Sequence, residues 1–162
     1  MGRKTQHRFH GDPQRFDVLA DYIADTYGRS VDYIADVAGG QGMLSRILNK
    51  RYRYHSEVID PRGSAMVGIP CRAEEFTPAL AGYYDLIVGL HPDEATRAVA
   101  EAALVKPAIV IPCCNFWSDE KLGRDEVVDA VAEYYSAHGV AFERVTFNFK
   151  GPKNIGLVSR LR

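Results

Sequence analysis

The sequence predicts an α/β fold: a doubly wound, mostly parallel sheet of seven strands that ends in an antiparallel hairpin. Short β-branched runs alternate with segments of helical periodicity along the chain, which is typical of helices that cover both faces of a parallel sheet. The run "YDLIVGL" is apolar at nearly every position, as in a strand buried on both faces. The chain has 162 residues, enough for one compact domain. We therefore expect a basic N-terminal segment over residues 1–12 and a single domain over residues 13–162.

The first half of the chain supplies one leading helix and three strands. Asp12 and Pro13 are typical of a helix N-cap and first turn, and apolar residues at helical spacing then run to Gly28. "DYIADVA" is predicted as the first strand, "HSEVID" as the second and "MVGIP" as a weaker third. Between the first two, "MLSRIL" has the apolar face of a helix.

The second half alternates strands and helices before the hairpin. "YDLIVGL" is the fourth strand, and a helix is expected over residues 93–105 with Asp93 as its N-cap. "PAIVIPCC" is the fifth strand, and a second good helix covers residues 125–138. "AFERVTFNF" and "IGLVSRLR" are strands joined by the short loop "KGPKN", so the last strand should be antiparallel to its neighbour.

Composition excludes several classes of protein. The formal net charge is −1, so any nucleic-acid-binding surface must be local. Three cysteines, two of them adjacent, do not form a disulfide framework, and we expect a cytoplasmic protein. No apolar run approaches the roughly 20 residues that span a bilayer, so no membrane partner is expected. The sequence also lacks a metal-ligand spacing such as C-x-x-C, and no metal is predicted.

A glycine-rich turn follows the first predicted strand in the run "DVAGGQG". Such a turn can simply connect a strand to a helix, or it can bring the backbone close to a ligand. Two acids favour the ligand. Asp36 is an ionisable residue at the end of a buried strand, where an unpaired charge is costly. Asp60 follows Gly42 by 18 residues, near the spacing of an acid that binds ribose hydroxyls. The candidates are a dinucleotide and S-adenosylmethionine.

The spacing of the glycines separates these two ligands. The dinucleotide pattern G-x-G-x-x-G fits Gly40 and Gly42 but meets Ser45 at its third position. The run as a whole resembles the D-x-G-x-G-x-G motif of class I, Rossmann-like S-adenosylmethionine-dependent methyltransferases. Asp36, Gly40 and Gly42 match that motif, and Ala38 stands at its first glycine. The predicted terminal hairpin is also the usual end of that fold.

Further runs extend the resemblance over roughly residues 31–118. "GQGMLSR", "VID", "GLHPDEAT" and "PCCN" occur in the order seen in a subset that includes tRNA 2′-O-methyltransferases. That subset has a Leu-His pair after strand four and paired cysteines after strand five. Asp93 stands where those relatives often have Cys, and Asn115 where they often have His or Tyr.

The resemblance implies a set of cofactor-binding residues. It places the amino-acid end of S-adenosylmethionine at the glycine turn, the ribose at the acid after strand two, and the adenine after strand three. The corresponding residues, with one glycine of strand four, are Asp36, Ala38, Gly39, Gly40, Gly42, Asp60, Ala73, Glu74 and Gly89. Two acids follow strand three, Glu74 and Glu75, and they would equally suit the exposed start of a helix. Arg62 is expected to be solvated.

The catalytic candidates follow strand four. A neutral imidazole at His91 is available as a base at cellular pH, and Asp93 could orient it or accept the proton itself. The alternatives are a structural histidine and an N-capping aspartate. Cys113 and Cys114 are expected to be buried, although a thiolate attacking a pyrimidine ring is another use of cysteine at this strand end.

The sequence predicts the methyl acceptor less directly than it predicts the cofactor. RNA is favoured, on the basis of the resemblance, the basic N-terminus, and the aromatic pair Phe116 and Trp117, which could stack a base or cover the core. The chain has almost nothing beyond the catalytic core, so a homodimer or a partner protein could supply recognition. The alternatives are a methyltransferase of proteins or small molecules, and a non-catalytic nucleoside-binding module.

Overall fold

The computed structural model describes residues 11–151 and 153–161, so most of the predicted basic segment lies outside the described residues. Seven strands form one sheet: Tyr33–Val37 (β1), His55–Ile59 (β2), Cys71–Arg72 (β3), Leu86–Leu90 (β4), Ala108–Ile111 (β5), Ala141–Thr146 (β6) and Ile155–Arg160 (β7). Four α-helices accompany them: Arg15–Tyr27 (α1), Met43–Tyr52 (α2), Thr96–Ala102 (α3) and Arg124–Ala137 (α4).

The order of the strands is β3-β2-β1-β4-β5-β7-β6. β1 pairs in parallel with both β2 and β4, so the chain moves outward in one direction after β1 and in the other after β4. Loops that leave the carboxyl ends of these two strands diverge and open a crevice, where ligands bind in open α/β sheets. The topology therefore places the site between the ends of β1 and β4.

Helices cover both faces of the sheet because each central strand is apolar on both sides. On one face Ile34 and Val88 pack with Leu19 and Ile23 of α1 and Leu48 of α2. On the other face the alternate strand residues pack against α3 and α4, whose buried side chains include Val99, Val128, Val131 and Tyr135. This confirms the doubly wound architecture predicted from the sequence.

The terminal hairpin is also confirmed. β6 and β7 are antiparallel, and β7 lies between β6 and β5, to which it is antiparallel as well. The predicted helix over residues 125–138 is α4, displaced by one residue at each end. No helix in the described ranges is long and apolar enough to cross a bilayer.

The predicted third strand is wrong. Residues 66–70 form a turn, with the Ile69 N–H donating to the Met66 carbonyl at 3.1 Å, and Gly68 has φ +87°, which a strand does not accommodate. β3 follows immediately as a two-residue strand beside β2. The apolar run at 66–70 lies against the glycine loop instead, where Ile69 contacts Gly42.

Of the two predicted N-caps, Asp93 is wrong, and Asp12 caps only the turn before α1, where its Oδ1 accepts the N–H of Gln14. α1 begins at Arg15 without a side-chain cap, and the Asp12 carboxylate accepts the N–H groups of Gln14 and Lys150, at 2.9 and 2.8 Å. Asp93 begins a 3₁₀ turn, Asp93–Ala95, and its side chain caps nothing. α3 is correspondingly shorter than the predicted helix.

Candidate functional site

A cavity of about 620 Å³ lies at the carboxyl ends of β1 and β4. The glycine loop 38–42 forms one wall, and the residues that follow β4 and β5 form another. The start of α1 and the hairpin-loop residues 149–151 and 153 close the remaining sides. Most loops that the sequence points to therefore meet at one place, as the switch-point argument requires.

Asp36 lies beneath the glycine loop and is 2 % exposed. Its Oδ2 accepts hydrogen bonds from the N–H and the hydroxyl of Ser45, at 3.2 and 2.8 Å. Ser45 is in the first turn of α2, so Asp36 binds an N–H that has no partner within the helix. This role also explains why a serine replaces the third glycine of the dinucleotide pattern.

Burial raises the pKa of Asp36 to about 6, and the neighbouring charge of Asp60 adds to the rise, while the hydrogen bonds from Ser45 oppose it. The folded chain thus holds a carboxylate that is expensive to ionise. A cation placed beside it would relieve this cost.

The glycine loop leaves no room for side chains above Asp36. A Cβ at Gly39 would lie 2.6 Å from the Asp36 carboxyl carbon, and one at Gly42 would lie 2.9 Å from Ile69 Cγ2. Ala38 has φ +54°, in the left-handed region that glycine adopts without penalty. The backbone at Ala38 thus keeps a conformation that favours glycine, although the side chain differs from the motif.

Asp60 follows β2 and is 1 % exposed. Its carboxylate accepts the Gly40 N–H at 3.0 Å, the Arg62 N–H at 2.9 Å, and the Arg62 guanidinium at 3.0 and 2.7 Å. Burial alone would raise the pKa of Asp60, but the bonds from Arg62 and Gly40 outweigh it and hold that pKa below its usual value. Arg62 is exposed, as expected for a solvated side chain, and it also forms an ion pair with Asp60, the residue predicted to bind the ribose.

A second cavity of about 350 Å³ lies beside the first, and both are lined by Ala38, Arg62 and Asp93. Asp60, Glu75, Phe76 and Phe116 also line the second cavity. It lies beyond the glycine loop, toward β3. A ligand that extends from one cavity into the other would pass Asp60.

Three residues predicted to bind the cofactor line neither cavity. Ala73 and Glu74 are exposed, and Glu74 lies 3.8 Å from Arg72 in an ion pair. Glu75 and Phe76, the next two residues along the chain, line the second cavity instead. The offset of two residues arises because β3 ends at Arg72, two residues beyond the end of the predicted strand. Gly89 is buried in β4 with its Cα facing Pro92 and Val99, so its lack of a side chain serves packing.

The turn after β4 is strained. His91 and Asp93 both have φ +51°, which costs of order 1–3 kcal/mol for a non-glycine residue. Together with Ala38 they are three of the four non-glycine residues with positive φ among those described, and all three line the larger cavity. Strain of this kind concentrates at functional sites.

His91 is held in one orientation. Its Nε2 lies 2.8 Å from the Lys153 carbonyl oxygen, which can only accept, so Nε2 carries the hydrogen and Nδ1 the lone pair. Phe149 contacts the ring edge-on at 6.4 Å between centroids. Burial lowers the pKa of His91 below its usual value, although the hydrogen bond to Lys153 opposes the change. The lowered pKa favours the neutral imidazole.

The two adjacent cysteines line the cavity rather than the core. β5 ends at Ile111 because Pro112 cannot donate to the sheet, so the pair lies in the loop beyond it. The Cys113 thiol donates to Asp93 Oδ1 at 2.9 Å, and burial and that carboxylate raise its pKa. Cys114 is exposed, with its sulfur 3.8 Å from Lys153 Nζ. The prediction that both are buried is wrong.

Several lining residues were not identified from the sequence. Arg15 and Phe16 at the start of α1, Gln41 in the glycine loop, and Lys150 and Lys153 in the hairpin loop all line the larger cavity. Arg15 and Phe16 sit within a basic, periodic segment, and the hairpin loop had only turn composition. Nothing in the local sequence indicates that these segments fold over β1.

The two aromatic residues after β5, Phe116 and Trp117, lie in different environments. Trp117 packs against the core and contacts Tyr134 edge-on at 5.5 Å, with the Arg97 guanidinium 4.0 Å from its ring centre. Phe116 is 41 % exposed and lines the second cavity. In the described part of the chain, no three His, Cys, Asp or Glu side chains lie close enough to hold a metal ion.

Several solved structures of similar shape are methyltransferases. The sugar N-methyltransferase KedS8 from Streptoalloteichus sp. ATCC 53650 matches 100 % of this chain and 98 % of its own, with TM-score 0.56 and 11 % identity. A SAM-dependent methyltransferase from Archaeoglobus fulgidus matches 89 % and 93 %, with TM-score 0.58 and 9 % identity. The methyltransferase domain of bacterial CtHen1 matches 91 % and 98 %, with TM-score 0.58 and 12 % identity.

The chain has the Rossmann-like methyltransferase fold. Comparison of the sequence with protein-family models and with curated proteins gives no match. At these identities the likeness concerns the fold alone.

Proposed function

We propose that this chain is an S-adenosylmethionine-dependent methyltransferase. The observation that carries the proposal is the arrangement of Asp36 and Asp60 around the glycine loop. One buried carboxylate lines the larger cavity, and the other lines the second cavity. A ligand with an amino group at one end and a ribose in its middle would meet both acids, and S-adenosylmethionine has this form.

The residues present fit the amino-acid end of this cofactor. Asp36 is a buried carboxylate in need of a cation. Gln41 lines the same cavity, and its buried Oε1 accepts no hydrogen bond from the described residues. An ammonium group supplies several N–H donors, so it could satisfy both oxygens. Because Gly39 and Gly40 have no side chains, they leave the space between these two oxygens open.

Adenine would occupy the second cavity. Phe76 is buried and Phe116 is partly exposed, and both line that cavity together with Pro61 and the Glu75 side chain. Apolar walls beside the Glu75 carboxylate suit a base that carries an exocyclic amino group. We therefore assign adenine recognition to Glu75 and Phe76 rather than to Ala73 and Glu74.

The cofactor supplies an electrophilic methyl group on a sulfonium, and the chain must align the acceptor and exclude water. His91 lies in the turn after β4 on the wall of the same cavity. Its Nδ1 carries the lone pair and can take a proton from an acceptor hydroxyl or amine. Asp93, whose Oδ1 is held by Cys113, is the other proton acceptor in reach.

RNA remains our proposed acceptor class. Its support is local: Arg15, Lys150 and Lys153 are cations on the wall of the larger cavity, where a phosphate backbone could approach. A small molecule is the second candidate, because KedS8, of similar fold, is a sugar N-methyltransferase.

Incubation with labelled S-adenosylmethionine and fractionated lysate tests the acceptor. Label in RNA supports the first candidate, label in small molecules supports the second, and label in protein contradicts both. If no label transfers while the cofactor binds, the chain is a nucleoside-binding module. His91→Ala and Asp93→Ala variants that bind the cofactor and keep full activity would exclude these residues from proton transfer.

A further inference from the structure

Asp60 has no free capacity to bind a ribose. A carboxylate accepts about four hydrogen bonds, and Asp60 already accepts four. One comes from the Gly40 N–H and three come from the backbone and guanidinium of Arg62. Any ligand whose hydroxyls bind Asp60 must first displace some of these donors.

The guanidinium of Arg62 is the group that can leave. Its side chain is 65 % exposed, whereas the Asp60 side chain is 1 % exposed. The two other donors are backbone N–H groups fixed in the glycine loop and in the turn after β2. Rotation of the Arg62 side chain would free two acceptor positions on Asp60, one for each hydroxyl of a ribose.

An anionic group of the ligand can take the displaced guanidinium and replace the ion pair lost with Asp60. Arg62 lines both cavities, and its Nη2 would be 3.7 Å from a Cβ at Gly40. It therefore lies against the glycine loop, where the amino-acid end of the ligand is proposed to bind. A carboxylate there could accept the fork of the guanidinium. Asp93 also attracts Arg62 electrostatically and is the competing partner within the chain.

We propose that Arg62 is a specificity residue that covers Asp60 in the free chain and transfers to the carboxylate of the bound ligand. This inference rests on the proposed function. It implies that the site selects nucleosides that carry an amino-acid group, because only their carboxylate replaces the ion pair that Arg62 loses with Asp60. A nucleoside without a carboxylate must break the ion pair and leave Arg62 with no ligand anion.

Two nucleoside thioethers test this by titration calorimetry of the full chain. S-adenosylhomocysteine carries the amino-acid group, and 5′-methylthioadenosine lacks it. In Arg62→Ala, 5′-methylthioadenosine should bind more tightly than it does to the wild-type chain, because no ion pair has to be broken. The affinity ratio between the two ligands should fall by about 10–100-fold, as expected for one charge-assisted pair.

Arg72→Ala is the matched control, since Arg72 is also ion-paired, with Glu57 at 2.6 Å, but lines neither cavity. It should leave both affinities unchanged. Arg62→Lys keeps the charge without the fork and should give an intermediate ratio.

The results separate this inference from the proposed function. If the wild-type chain binds S-adenosylhomocysteine but Arg62→Ala leaves the ratio unchanged, or weakens 5′-methylthioadenosine, the inference is wrong and the proposed function stands. A transfer of Arg62 to Asp93 would give that unchanged ratio. If the wild-type chain binds neither ligand, both are overturned.

Discussion

The carboxylate of Asp36 binds the backbone N–H and the hydroxyl of Ser45, at 3.2 and 2.8 Å. Ser45 Oγ is in turn 2.8 Å from Ser56 Oγ on β2. This chain of contacts fixes the end of β1, the start of α2 and the middle of β2 relative to one another. It also holds an ionisable group in the interior without a cation, and the raised pKa of Asp36 reflects that arrangement.

Replacing Asp36 by Asn should stabilise the free protein. Folding raises the pKa of Asp36 from 3.8 to about 6, so the folded chain binds this proton more tightly than the unfolded chain. The contribution of Asp36 to the free energy of unfolding is then greatest below pH 4 and is lost as the pH rises through 6. Asn removes the titration, and its carbonyl can still accept from Ser45. Thermal melts at pH 8 should show Asp36→Asn more stable by about 1–3 kcal/mol.

The same melts at pH 4 provide the control, because the two proteins should there be nearly equal in stability. Binding should change in the opposite direction. Loss of the carboxylate removes the partner of the ligand's amino group, and S-adenosylhomocysteine should bind at least about tenfold more weakly. Equal or lower stability of the variant at pH 8 would contradict the view that Asp36 is a functional charge kept at a cost to folding.

A methyl group at Gly39 should damage the site through Asp36. The Cβ of Gly39→Ala would lie 2.6 Å from the Asp36 carboxyl carbon, closer than real contacts allow, so the carboxylate must move. We expect both lower thermal stability and at least about tenfold weaker binding of S-adenosylhomocysteine.

Gly82→Ala is the matched control for Gly39→Ala. Neither glycine has a positive φ, and a Cβ at Gly82 would meet nothing within 4 Å. The control should bind the ligand like the wild-type chain. If Gly39→Ala also binds normally, the loop does not approach the ligand at that position.

The state of His91 can be measured without knowing the acceptor. Because Nε2 faces the Lys153 carbonyl oxygen, the neutral ring should be the Nε2–H tautomer. Burial should hold its pKa below the usual value of about 6.5. A ¹⁵N-resolved titration of the imidazole checks both statements. An Nδ1–H tautomer, or a pKa at or above 6.5, would contradict the assignment of Nδ1 as the proton acceptor.

The sequence predicted the layered architecture well because the fold depends on patterns that are local. Runs such as "YDLIVGL" and the periodicity of α4 each encode an element whose burial follows from its composition. The third strand failed because an apolar run is ambiguous: residues 66–70 use Ile69 to pack against Gly42 from a turn. Ile69 is only partly buried there, so apolar character predicted neither a strand nor a buried run.

The sequence predicted residues that line the cavities only where the end of a strand carries the signal. The spacing of Asp36, Asp60 and the glycines indicates a ligand site. His91 is indicated by its position after a buried strand. The pairing of Arg62 with Asp60, and the closure of the cavity by Arg15 and Lys153, depend on tertiary contacts with segments that have ordinary local composition. The pattern of a single sequence does not indicate such contacts.

Titration of the full chain with S-adenosylhomocysteine tests the central claim most directly. We predict saturable binding at one site, weakened in Asp36→Asn and Gly39→Ala and retained in Gly82→Ala. NAD serves as the competing ligand, since the glycine turn and the acid after β2 also suit a dinucleotide. Absence of binding to S-adenosylhomocysteine and S-adenosylmethionine, with saturable binding of NAD instead, would contradict the account.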